Sequence, residues 1–120
     1  MTVSLRVDVQ RVAAEAASGV PGVAALQPAL ADRLALAASR AHQALIAGTG
    51  PHREAAGIRC EHTPGDGWRV EVRCILHAGQ RAVDVARQVR DDVRTAVSAY
   101  LIQQGTADHV NVVVTVTRTL

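Results

Sequence analysis

Lysine and phenylalanine are missing altogether, and tryptophan, tyrosine and methionine occur once each among 120 residues. Without aromatic platforms there is little on which unstacked bases could lie, which argues against a nucleic-acid reader. A core of Ala and Val also buries less area per residue, at about 25 cal/mol per Å², so thin layers in close contact are expected. The two cysteines, Cys60 and Cys74, exclude a disulfide scaffold, and no Cys-x-x-Cys or His-x-x-x-His spacing is present for a metal. No apolar run approaches the ~20 residues that span a bilayer. The opening Met-Thr-Val-Ser-Leu-Arg has no apolar signal region, so a cytoplasmic protein without direct membrane insertion is expected. The formal net charge is only +2 and the signs are interspersed, so no strong field toward nucleic acid or lipid is implied.

What is present is periodicity. Trp68, Val70, Val72, Cys74 and Leu76 alternate with Arg69, Glu71, Arg73 and His77, which describes a strand. Val85, Val89, Val93, Ala96, Val97 and Tyr100 then recur every three or four residues, describing a helix that Gly105 stops. Val110, Val112, Val114 and Val116 return to a period of two. This strand–helix–strand unit predicts two parallel strands joined by a right-handed crossover. Upstream, Ile58, Cys60 and His62 alternate with Arg59, Glu61 and Thr63. A hairpin through residues 63–67 places Ile58 and Cys60 beside Val72 and Cys74, and same-face pairing demands an odd-length loop.

At the start of the chain, Val3, Leu5 and Val7 alternate and predict a short strand. Asp8 then serves as N-cap for a helical stripe of Val9, Val12, Ala13, Ala16 and Ala17, closed by Gly19. Val20-Pro21-Gly22-Val23 reads as a turn with Pro and Gly in type II order. Pro28 to Ala47 predicts a second helix with Leu30, Leu34, Ala38, Ala41 and Leu45 on one stripe, followed by a loop over residues 48–57. The expected whole is one domain, residues 1–120, of α+β class. It is a two-layer α/β sandwich of order β-α-(α)-β-β-α-β, with a mixed sheet and helices on one face.

Candidate chemistry is thin. Cys60, Cys74 and His62 share a face with Ile58, Val70, Val72 and Leu76, so they read as core residues and not as metal ligands or nucleophiles. Asp91 and Asp92 are adjacent on a helix and point apart. The two glycines of Gly19-Val20-Pro21-Gly22 close a helix, whereas a phosphate cradle opens one. No catalytic residue, cofactor or metal is assigned. Two surfaces remain. Arg59, Arg69 and Arg73, with Arg81 nearby, could contact a polyanion, though Glu61 and Glu71 share their face and a solvated face with ion pairs is the blander reading. Leu36 and Ile46 lie off the stripe of the Pro28–Ala47 helix and could meet a partner or a second copy.

Several pieces occur together: the early helix ending in Val20-Pro21-Gly22-Val23, the strand ending Ile75-Leu76-His77-Ala78-Gly79, Val85-Ala86-Arg87-Gln88-Val89-Arg90 with Val93 and Val97, and Val110-Asn111-Val112-Val113-Val114. In this order they resemble the alkaline-shock (Gls-type) envelope stress response family of bacteria, over about two-thirds of the chain. The resemblance implies a small non-enzymatic scaffold domain without cofactors. It also implies recruitment to the inner face of the cell membrane by a membrane-anchored protein partner, and self-assembly into a homo-oligomer. The alternative is a module for RNA or another polyanion, using the Arg-bearing hairpin face.

Overall fold

A computed structural model of the chain describes residues 2–27 and 57–120. The elements are α1 (Thr2–Ser18), β1 (Val23–Leu26), β2 (Ile58–Thr63), β3 (Gly67–Leu76), α2 (Ala82–Gln103) and β4 (Val110–Thr119). The expected class is observed: among the described residues two helices cover one face of a mixed sheet. β3 is the centre. It pairs in parallel with β4 from Trp68 to Leu76 and antiparallel with β1 and β2.

β1 and β2 lie on the same side of β3, one after the other. β2 runs beside residues 67–72 and β1 beside residues 74–76. They meet at Arg73, whose carbonyl accepts from the Gln27 N–H at 2.8 Å and whose N–H donates to the Gly57 carbonyl at 2.9 Å. One edge of the sheet is therefore a single interrupted strand. Gly57 makes the junction possible: its φ is +85°, and a Cβ there would come within 2.8 Å of Leu26 Cβ.

The β2–β3 hairpin follows the parity argument. Ile58 faces Val72, Cys60 faces Val70, and the turn over residues 64–66 is odd in length. Cys74 faces Leu26 of β1, so the two thiols do not share a rung. The core face of the sheet carries Trp68, Val70, Val72, Cys74 and Leu76, each 0 or 1% exposed. Against it α2 lays Val85, Val89, Val93, Val97 and Leu101, one residue per turn and all buried. α1 contributes Val9, Ala13 and Ala17, each fully buried, so the helix approaches through small side chains as the composition demands. The two helices are fastened where the Tyr100 hydroxyl donates to Asp8 Oδ2 at 2.6 Å.

The amino terminus differs from expectation. No strand forms at Val3–Val7, because α1 already runs from Thr2. Leu5, Val9, Ala13 and Ala17 form a continuous i, i+4 stripe, and all pack on or into the core. Three alternating residues are too short a signal to outweigh that stripe. Asp8 is accordingly no N-cap; it sits within the helix and receives Tyr100. The Val20–Val23 turn is as read, with the Val23 N–H donating to the Val20 carbonyl at 3.2 Å and Gly22 at φ +99°. The chain enters the sheet directly afterwards as β1.

Candidate functional site

The face of the sheet turned away from the helices carries the alternate residues of each strand. Arg59 and Glu61 of β2 stand opposite Glu71 and Arg69 of β3, so every rung in that stretch pairs opposite charges. Arg69 Nε also lies 3.5 Å from Glu71 Oε2. Arg73 continues the row but is half-buried, and its Nε has no partner among the described residues. Arg81 does not join them. It precedes α2 in the helical layer, where its Nε lies 3.5 Å from Asp84 Oδ2. The arginines thus form a mixed-sign face and one separate helix-start pair. Leu36 and Ile46, the candidate partner surface on the Pro28–Ala47 stretch, lie outside the described residues.

At one end of the sheet the His62 ring rests against Trp68 with centroids 4.9 Å apart, and its Nε2 is 3.2 Å from Asp108 Oδ2. His62, expected from its strand face to be a core residue, is instead exposed at the end of β2, where it pairs with Asp108 beside Trp68. Cys60, on the same strand, is 2% exposed with its side chain in the core. Burial pushes the Cys74 thiol up from its ordinary pKa, which favours the unreactive form. Among the described residues no three His, Cys, Asp or Glu side chains converge as a metal site requires. A polar pocket of about 330 Å³ lies between α1 and β2, lined by Arg6 and Gln10 and by residues 59–63. Gln10 is 3% exposed and its Oε1 lacks a partner among the described residues.

The remaining feature is an edge. β4 bonds only to β3 among the described residues, and none of them pairs with its other side along Val110–Thr119. Every residue of β4 except Asn111 and Arg118 is β-branched, and no charge occurs before Arg118. Val114 and Val116 are only partly buried where they pack on the core. Glycine fixes how this strand starts: a Cβ at Gly67 (φ +86°) would run into the His109 carbonyl, which accepts from the Trp68 N–H at 2.8 Å.

Compared with protein-family models, curated proteins and solved structures, the chain gives no significant match to any. No helix among the described residues is long and apolar enough to cross a membrane.

Proposed function

We propose that this chain is a non-enzymatic interaction domain of the alkaline-shock type. In this reading it works in the cytoplasm as a scaffold and is drawn to the inner face of the membrane by an anchored protein partner or by copies of itself. The observation that carries the reading is the outer edge of β4, a long row of main-chain donors and acceptors without a charge before Arg118, of the kind proteins normally blunt. Strand addition to such an edge is a recurrent mode of recognition. The polyanion alternative is weaker, because Arg69 and Arg81 already face carboxylates and acidic residues alternate with basic ones along β2 and β3.

The test is fractionation beside vesicle binding. The native protein should sediment with membranes of its own cells, while the purified protein should not float with protein-free vesicles containing anionic lipid. Direct vesicle or RNA binding that falls steeply with salt would instead favour the polyanion reading, since phosphate neutralisation releases counterions.

A further inference from the structure

The outer edge of β4, with which none of the described residues pairs, has a sequence that reads almost the same in both directions. From Val110 to Val116 it runs Val-Asn-Val-Val-Val-Thr-Val, with Val113 at the centre. The regular part of the ladder ends at the same place. Cys74 pairs with Val116 and Ile75 with Arg118, leaving Thr117 as the extra residue of a bulge, its hydroxyl donating to the Cys74 carbonyl at 3.2 Å.

Main-chain direction is fixed by one bond. The His109 carbonyl points into β3 to meet the Trp68 N–H. In a parallel ladder successive residues alternate sides, so Asn111, Val113 and Thr115 also bond toward β3. Val110, Val112, Val114 and Val116 therefore direct their N–H and C=O groups outward. The same four place their side chains on the helix-covered face, where Val110, Val112, Val114 and Val116 all touch the core.

We infer that β4 pairs antiparallel with β4 of a second copy, about a two-fold axis at Val113. This rests on the interaction reading above and names the partner of its edge. A two-fold interface requires residue i to meet j and j to meet i. Here that rule sets Val110 on Val116 and Val112 on Val114, each twice, through about eight main-chain hydrogen bonds. On the open face it sets Asn111 beside Thr115 and Val113 on Val113. No charge opposes a like charge within this run, and the half-finished valine stripe of one copy is continued by the other. The opposite edge cannot serve in this way, being broken at Gly57 and studded with Arg59 and Glu61. With one usable edge among the described residues, pairing closes at a dimer.

The experiment uses the full chain and sedimentation equilibrium. The wild type should show a mass rising with concentration to twice that of the monomer and no further. Val113→Lys and Val113→Glu each place like charges face to face and should weaken the dimer at least tenfold. Mixed in equal amounts, the two variants should form a dimer again, which neither unfolding nor another interface would produce. Should either variant fail to fold by circular dichroism, Val113→Cys decides: its non-hydrogen-bonded position suits a disulfide to its own counterpart, so mild oxidation should cross-link it, while Cys60 and Cys74 stay buried. A wild type that stays monomeric at millimolar concentration overturns the pairing, as does growth beyond a dimer or no rescue on mixing of folded variants. A monomer that still sediments with cell membranes would sink the pairing alone and leave the scaffold reading standing.

Discussion

The two edges of this sheet flank the same central strand and are built on opposite plans. One is β1 and β2 laid end to end, short pieces joined at Arg73 with charges facing out. The other is β4, continuous over Val110–Thr119 and uncharged until Arg118. Interruption, brevity and charge are the devices that keep edges from pairing, and one side has all three. β4 has a single late bulge at Thr117 and one late charge. Among the described residues only the β4 edge is left without a pairing strand or a charge before Arg118, and the proposed pairing goes through it.

The contrast can be broken most completely by removing the helix layer on which both edges depend. Val89 is fully buried at the centre of α2. Val89→Asp would bury a charge without a partner and should abolish cooperative unfolding, read by the fluorescence of the lone Trp68. Survival of a folded domain would mean that α2 is not what holds β3 and β4 down.

A selective break comes next. Gly57→Ala forces a side chain into positive φ and against Leu26, and should cost about 2–3 kcal/mol in denaturant titration. Because the damage lies on the interrupted edge, the concentration dependence of the wild-type mass should persist in the variant. Equal damage to both properties would show that the edges are not independent.

The smallest effect concerns the fastening of α1, which covers the interrupted edge, to α2, which covers β4. The hydrogen bond to Asp8 raises the Tyr100 pKa above its ordinary value, with burial adding to the rise. The neutral phenol is the form that binds, so its contribution is whole below the unfolded phenol's pKa of about 10 and is lost as pH rises through the raised folded value. Tyr100→Phe should cost about 1 kcal/mol at neutral pH. In strongly alkaline solution the gap between variant and wild type should close. A gap that widened with pH would contradict the assignment.

Much of this architecture was legible from periodicity. The alternation of residues 58–63 and 68–76, the Val85–Val97 stripe and the return to alternation at Val110 each describe an element that needs no distant information. The parity of Ile58 and Val72 even specified an odd turn. The amino terminus was misleading because Val3, Leu5 and Val7 satisfy a strand pattern locally, while Leu5, Val9, Ala13 and Ala17 satisfy a helix that only core packing selects. β1 was not legible at all, since Val-Ala-Ala-Leu has no alternation and becomes a strand by pairing with residues 74–76. The same holds for the edge proposed to bind. The reversible run Val110–Val116 is visible in the sequence, yet it signifies nothing until β4 is known to lie at an edge with its even-numbered amides turned outward.

Those amides offer the most direct measurement. Residue-resolved hydrogen exchange should be followed for Val112 and Val114 of β4 as protein concentration is raised a hundredfold. If β4 is the open edge and pairs with its own copy, both amides pass from fast exchange to strong protection, while the amides of β2 do not change with concentration. If Val112 and Val114 exchange fast at every concentration, or are already protected in the dilute monomer, the account of the two edges is wrong.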